Sequence, residues 1–400
     1  MITKNSPFIA VTAIFLSLGL HSCSPDSSDD PIQVEVPSTY FFERDGSSTV
    51  SYSGQTQRLD MLDELMSYAK SGTENTLEEQ KLLDMFHNDN SPFSQADLNQ
   101  TGDSRKQLAS KLYGQGDGST PVDGGATVTY FEDLFKEIAT ISADHANTAD
   151  NGTAGTISSG TSTYLVNDKG YEPAQLIEKG LMGALLFHQG TNVYLGSDKL
   201  SVSGTELDGE KVYTSLEHHF DEAYGYFDFP TNMSNFDEMG ANKELRYWAK
   251  YAYSRKGADA IGYDIDARIH EAFRTARACI AAQYDHSGED IDCSYNDAIS
   301  TIQKEWELIM AANAIHYLND AKGLLTDQAK LSHALSECVG FLQGLAYANA
   351  GSSRMSDADI DAVKELIGTN LWEIVPANLD TAIDKIVEKY TELSDVKDQL

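Results

Sequence analysis

Cysteine is scarce in this sequence, with four residues in 400, and no two of them have the C-x-x-C spacing. A thiolate zinc site needs such closely spaced pairs, so this kind of metal site is excluded. The sequence also lacks H-E-x-x-H, G-x-S-x-G, the P-loop and the dinucleotide glycine fingerprint. These absences argue against zinc proteases and against the common hydrolase and nucleotide-binding classes.

Positive charge is scarce as well. The chain has 29 Lys and Arg against 62 Asp and Glu, for a formal net charge of −33. Nucleic-acid binding depends on basic side chains that neutralise phosphates, so nucleic acid is excluded as a partner. Cations or a basic protein would be attracted to such a body, although the charge serves the solubility of an exposed protein equally well.

Long apolar runs are missing too, since no segment reaches the roughly 20 residues that a membrane-spanning helix requires. The nearest is the stretch from Pro7 to Leu20, which follows the positive Lys4 and is typical of a signal-peptide core. It ends in the letters L-H-S-C at Cys23, which resemble the bacterial lipobox. We therefore predict a signal peptide over residues 1–22 and lipidation of Cys23. The lipid would anchor the protein to a membrane.

The residues from Ser24 to Pro31 are polar, acidic and without apolar pattern, which is typical of a flexible tether. We predict a flexible lipidated tether over residues 23–50. Ser24 stands where the inner-membrane retention signal of bacterial lipoproteins would place Asp. This difference favours an exported, outer-membrane lipoprotein. Whether the body faces the periplasm or the cell surface stays open.

Apolar residues recur at helical spacing over most of the chain. Capping boxes at Thr76 with Glu79, Thr129 with Glu132 and Ser356 with Asp359 predict three helix starts. The three clearest stripes lie in the second half of the chain and comprise Ile265, Ile269, Phe273, Ala276 and Ile280; Ile299, Ile302, Trp306, Ile309 and Tyr317; and Leu331, Leu335, Cys338, Phe341 and Leu345.

Strand alternation is limited to Tyr164–Val166 and Val193–Leu195. The fold class is therefore predicted to be all-α, as two helical bundles with long loops rich in Gly and Ser. The first bundle is expected over residues 51–210, with loops at 145–170 and 190–209, and the second over residues 211–400.

Three cysteines remain after the lipid site. An exported compartment permits disulfides, and Cys279 with Cys293 would close a short loop across a turn. Cys338 is then left as a buried thiol in a helix.

The densest cluster of potential ligands lies on a helix expected from Thr214 onward. His219 and Glu222, three residues apart, share one border of its apolar face, and both could bind one cation. His218 and Asp221 are expected to point more to the opposite side. The alternative is that His219 and Glu222 hydrogen-bond to each other or to a neighbouring helix and only fix the packing.

A second cluster contains His333 and Glu337, one helical turn apart. Gly340 and Gly344 follow on the same face and would let another helix approach closely, so a packing role at a tight helix interface is favoured. His316 on the preceding helix could complete a shared polar layer, and bundles do build metal sites from facing helices.

The helix with His219 and Glu222 resembles the G-x-H-x-x-E motif of the imelysin-like bacterial proteins, with Glu217 where that motif has Gly. The run from Glu217 to Phe227 is more closely similar to an uncharacterised lipoprotein family of about this length. The resemblance implies an all-helical, imelysin-like two-bundle fold and an association with iron uptake, with His219 and Glu222 in the His and Glu positions.

These features together predict a non-catalytic, membrane-anchored protein that binds a cation, iron or zinc, at His219 and Glu222. The alternative is a surface lipoprotein that binds a protein or glycan through its loops, with a purely structural His cluster. A metallohydrolase or peptidase is the third reading, and nothing in the sequence supplies a nucleophile with an oriented base.

Overall fold

The structure is a computed structural model that describes residues 30–102, 105–114, 125–234, 245–255, 264–348 and 354–400. The signal peptide, Cys23 and Ser24 lie outside these residues. The described part is all-α, with twelve α-helices and a few short strands. The helices are α1 Ser53–Lys70, α2 Glu79–His87, α3 Ala126–Ser142, α4 Pro173–Leu181, α5 Ser197–Leu200, α6 Ser215–Phe227, α7 Tyr247–Ser254, α8 Ile265–Asp285, α9 Tyr295–Gly323, α10 Gln328–Leu345, α11 Asp357–Ile367 and α12 Pro376–Lys389.

Six strands form three two-stranded sheets within the described residues. They are β1 Ile32–Gln33, β2 Glu43–Arg44, β3 Ser47–Ser48, β4 Gly155–Ser159, β5 Ser162–Val166 and β6 Ile291–Asp292. The β4–β5 hairpin includes the predicted strand at Tyr164–Val166. The other predicted strand was wrong, because residues 193 and 194 complete a π-helix, Met182–Tyr194, that continues directly from α4. The predicted loop from residue 190 therefore begins as helix.

The core centres on Trp306 of α9, whose ring has no exposed surface. Phe187 of the π-helix, Phe227 of α6 and Phe273 of α8 surround it with ring centroids 5.1–6.2 Å away. One hydrophobic cluster extends from Tyr40 to Leu400. Helices on both sides of residue 210, where the boundary between the two bundles was predicted, contribute side chains to this one core.

Residues 32–50, predicted as part of a flexible tether, instead pack on the body. Ile32 pairs in parallel with Ile291, and the side chains of Tyr40 and Phe42 are buried. The aromatic ring of Tyr40 stacks on Tyr224 of α6 with centroids 3.5 Å apart. The tether prediction rested on the polar residues 24–31 and overlooked the aromatic residues that follow. The buried rings of Tyr40 and Phe42 provide enough apolar burial to order the segment.

Two of the predicted capping boxes were wrong. Helix α2 begins at Glu79 itself, with no side-chain cap from Thr76, and Thr129 lies inside α3, which already begins at Ala126. The box at Ser356 is present: its hydroxyl accepts from the amide of Asp359, whose carboxylate accepts in return. Short capping patterns recur by chance, and tertiary packing decides which become helix starts.

Cys279 and Cys293 form a disulfide, which ties the end of α8 to the segment that follows β6. Cys338 is a buried free thiol in α10, and burial raises its pKa above the ordinary value. Of the helices in the described ranges, none is both long enough and apolar enough to cross a membrane.

Candidate functional site

Helix α6 carries the His cluster, and its start is fixed by a complete capping box. The Thr214 hydroxyl accepts from the amide of Glu217, and the Glu217 carboxylate accepts from the amide of Thr214 at 2.7 Å. The residue that replaces the Gly of the imelysin motif therefore has a local structural use. Capping orients the first turn and fixes which side chains face the interior.

Asp221 points into the interior, where it belongs to an ion-pair network and not to a metal site. Arg277 of α8 donates through Nε to Asp221 at 2.8 Å and through Nη1 to Glu217 at 2.9 Å. All three side chains have zero exposed surface. Tyr40 and the amide of Ser51 also donate to Asp221, so the network fastens the N-terminal segment to the body.

The electrostatics of Glu217 follow from these contacts. Burial alone raises the pKa of a carboxyl group, but Arg277 and Arg44 hold the pKa of Glu217 below its ordinary value. The carboxylate is therefore charged and matched by two guanidinium groups. We assign Asp221 and Glu217 a structural role.

His218 and His219 of α6 are half-buried, and each is fixed by a backbone carbonyl. Nδ1 of His218 lies 2.8 Å from the Ser51 oxygen, and Nδ1 of His219 lies 2.9 Å from the Lys199 oxygen. Because carbonyl oxygens only accept, both Nδ1 atoms carry protons and both Nε2 atoms retain a lone pair in the neutral ring. That is the form in which His binds a metal.

The carboxylate nearest to this pair is Glu222. Its Oε2 lies 3.9 Å from Nε2 of His218, while its Oε1 accepts from Gln55 of α1 at 2.9 Å. His218 and Glu222, four residues apart, thus come together, whereas the sequence had paired His219 with Glu222. In the residues the structure describes, no group of three or more His, Cys, Asp or Glu side chains is arranged to hold a metal ion.

The remaining predicted ligands fall elsewhere. His316 of α9 pairs with Asp320 on its own helix at 3.3 Å. His333 and Glu337 of α10 line a cavity of about 330 Å³ between α1, α4, α7 and α10. His316 does not line this cavity, but Glu337 acts on the pKa of His316 across the interface between α9 and α10.

This cavity, hereafter the α4–α10 cavity, has a charged and aromatic lining. It includes four Lys and Arg and three Asp and Glu, in a chain where acids outnumber bases two to one. Its volume lies at the lower end of the range for small-molecule sites. The lining residues are Asp63, Lys70, Gln175, Glu178, Lys179, Leu245, Arg246, Tyr247, Lys250, Tyr251, His333 and Glu337.

Glycines where α10 meets α4 and the π-helix let these helices approach closely enough to form the cavity wall. A Cβ at Gly340 would lie 2.6 Å from the Cβ of Lys179, and a Cβ at Gly183 would lie 2.3 Å from the Cα of Gly344. Real side chains do not tolerate such distances, so only glycine permits this approach. The close helix contact expected from Gly340 and Gly344 is therefore present. The π-helix that follows α4 is itself a rare element, frequently found at functional sites.

A chain of alternating charges runs along the wall. Glu178 pairs with Lys70 at 2.9 Å and with Lys179 at 2.7 Å, and Lys179 also pairs with Glu337 at 3.0 Å. Against the effect of burial, the two lysines lower the pKa of Glu178 to about 2. Lys179 likewise lowers the pKa of Glu337 despite its burial. Both carboxylates are thus charged and neutralised.

His333 lies at the end of this row of alternating charges. Its Nδ1 lies 2.6 Å from Glu172, and its Nε2 lies 3.6 Å from Glu337. Although burial acts in the opposite direction, Glu172 raises the pKa of His333 above its ordinary value. The phenol of Tyr251 donates to Glu337 at 3.3 Å. The wall is therefore organised by bonds between its own side chains.

Sequence reasoning found His333 and Glu337 but missed Gln175, Lys179, Lys250 and Tyr251. Lys179 and Gln175 lie on α4, where a Lys or Gln is usually a solvated helix residue, yet both are less than 5% exposed. The spacing of Gly340 and Gly344 was the available signal, because it marks a close partner helix that buries the facing side chains.

The class of molecule is thus an all-α protein with a charged cavity between packed helices. A family model for a domain of unknown function, DUF4856, matches residues 37–392, and the chain belongs to this family. No curated protein matches the sequence, and no solved structure matches it.

Proposed function

We propose that this protein is an exported, lipid-anchored binding protein that holds a small polar ligand in the α4–α10 cavity without transforming it. The observation that carries the proposal is Gln175: its side chain is 4% exposed, it lines the cavity, and its Oε1 has no hydrogen-bond partner among the described residues. A buried acceptor left unpaired costs stability. Proteins retain such groups where a ligand completes the bond.

The absence of a transformation step is part of the proposal. The carboxylates of the wall are held charged by lysines, and the phenol of Tyr251 is bound to Glu337. These carboxylates and this phenol recognise a ligand but have no proton to exchange near neutral pH. His333 is the titratable imidazole of the lining, and its Nδ1 is already bonded to Glu172 at 2.6 Å. Export and the lipid on Cys23 rest on the N-terminal sequence, and the distant resemblance to imelysins implies an all-helical fold and an association with iron uptake.

We expect the variant Gln175→Met to weaken ligand binding at least tenfold without lowering the unfolding temperature of the free protein. Methionine has a similar length and removes the unpaired amide oxygen. It also removes one long hydrogen bond, 3.4 Å from Nε2 to Glu172, so the two effects offset and stability should hold or rise. The measurement is a thermal-shift screen of the full purified chain against amino acids, sugars, sugar acids and polyamines, followed by calorimetry.

The matched control is Gln343→Met on α10, outside this cavity, where the amide bonds Tyr347 and Lys364. This variant should lose stability and keep ligand binding. Failure of every compound in the screen, or equal binding by Gln175→Met and the parent, would rule out the proposed cavity function.

A cation at His218 and Glu222 is a second candidate function, favoured by the fixed Nδ1 atom of His218 and its lone pair at Nε2. The two residues supply two donors, Nε2 and Oε2, and leave the other positions of an iron or zinc ion to water. Such a site would exchange its ion readily, in keeping with capture and transfer more than with storage.

We expect the double variant His218→Ala, Glu222→Ala to abolish binding of one equivalent of ferrous or zinc ion, with unchanged helical circular dichroism. Elemental mass spectrometry after equilibrium dialysis of the untagged protein measures this. The control is His286→Ala, which removes a half-buried imidazole after the end of α8, away from α6. Equal metal content in the double variant and the parent would remove this site from consideration.

A further inference from the structure

Some of the charged and polar groups that line the α4–α10 cavity already have ion-pair or hydrogen-bond partners within the protein, and others do not. Glu178 and Glu337 are neutralised by Lys179, and Asp63 accepts from the phenol of Tyr247 at 2.6 Å and from Arg246 at 2.7 Å. The three carboxylates therefore need no further cation. A positively charged ligand would have to displace a bond that already exists.

One cation of the lining is different. The ammonium of Lys250 forms no ion pair with any residue that the structure describes. Its Nζ lies 5.7 Å from the centroid of the Tyr251 ring. Lys250 lies on α7 at the cavity and is exposed. It is free to bind an anion that enters from solvent, since a flexible lysine with three donors adapts to an incoming carboxylate.

The second unused group is the acceptor Oε1 of Gln175. The atom has less than 1 Å² of accessible surface, so a ligand in the cavity can donate an O–H or N–H to it only when the Gln175 side chain turns toward the cavity. A ligand that matches this lining therefore carries one negative charge and at least one hydrogen-bond donor. A simple anion such as chloride provides only the first, and a neutral alcohol only the second.

We propose that the ligand is a small organic acid that also carries hydroxyl or amino groups, with its carboxylate at Lys250 and a donor at Gln175. This assignment rests on the proposed binding function and names the chemical class for that same cavity. The volume of about 330 Å³ admits a single amino acid or monosaccharide acid, at the lower end of the range for ligand sites.

The test offers two scaffolds, each with a carboxylate, with neither charge, or with an amine: glucuronate, glucose and glucosamine, and glycerate, glycerol and 3-amino-1,2-propanediol. Calorimetry on the full purified chain should show the acid binding at least tenfold more tightly than the neutral and cationic forms on one scaffold or both. Lys250→Glu should weaken binding of that acid at least tenfold. Lys250 is exposed and forms no ion pair with any residue in the described ranges, so this variant should unfold at the same temperature as the parent.

The control Lys136→Glu changes the net charge equally at an exposed position of α3 outside the cavity, and should leave binding unchanged. If a neutral or cationic compound binds best and its binding is lost in Gln175→Met, the cavity binds ligand but the assignment to acids is wrong. If Lys250→Glu binds the acid as tightly as the parent, the assignment is also wrong. If none of the six compounds binds, the assignment is overturned, and the broader screen decides the binding function.

Discussion

Replacement of Arg277 by Met should lower the free energy of unfolding by about 3–5 kcal/mol, the cost of removing one partner from a buried ion pair. The variant leaves the carboxylates of Glu217 and Asp221 without their main counter-charge, and both have zero exposed surface. It also removes donors to Thr49 and so loosens the N-terminal segment. Urea unfolding followed by circular dichroism measures the change.

The control is Lys322→Met, which breaks the exposed pair between Lys322 and Asp380 and should cost less than about 1 kcal/mol. A loss below 1 kcal/mol for Arg277→Met would contradict the assigned network. Combining Arg277→Met with Glu217→Gln and Asp221→Asn should recover part of the stability, because the uncompensated charges are then gone.

Within this network Glu217 sets an acid limit to stability, whereas burial raises the pKa of Asp221. The pKa of Glu217 is lower in the folded protein than in the unfolded chain because Arg277 and Arg44 favour its charged form over the opposing effect of burial. Its contribution is therefore fully present above the ordinary Glu pKa and is lost as pH falls through the lower folded value. In Arg277→Met the contribution of the Glu217 carboxylate to stability is smaller than in the parent. The difference in free energy of unfolding between the two proteins should therefore narrow as the pH falls below about 4.

The helical class and several contacts could be read from the sequence, because they depend on local pattern. The stripes around Ile269, Trp306 and Leu335 became α8, α9 and α10, and the glycine spacing at 340 and 344 indicated a close helix pair. The nearness of Cys279 and Cys293 also followed from a short turn.

The chemistry of the sites could not be read in the same way. Asp221 looked like a ligand because its partner Arg277 lies 56 residues away, and helical periodicity does not reveal which distant side chain meets it. The α4–α10 cavity draws its lining from four helices that are remote in sequence. Only tertiary packing shows that Lys179, a charged residue by composition, is buried against Glu337.

Substitution of Gly183 by Ala should destabilise the protein by about 3 kcal/mol, at the upper end of the cost of overpacking. The added Cβ would lie 2.3 Å from the Cα of Gly344, and because that atom belongs to the backbone it cannot move aside without separating two helices. The movement would also draw Lys179 away from Glu337 and so weaken ligand binding in the cavity.

The matched control is Gly323→Ala at the end of α9, where no atom lies within 4 Å of the added Cβ. There alanine meets no obstacle and improves helix propensity, so the variant should be neutral or more stable by up to about 1 kcal/mol. The two variants make the same chemical change in helices and should differ in sign, as measured by urea unfolding. If Gly183→Ala instead stayed within 1 kcal/mol of the parent, the close approach of α10 to the π-helix, and with it the narrow wall of the cavity, would be refuted.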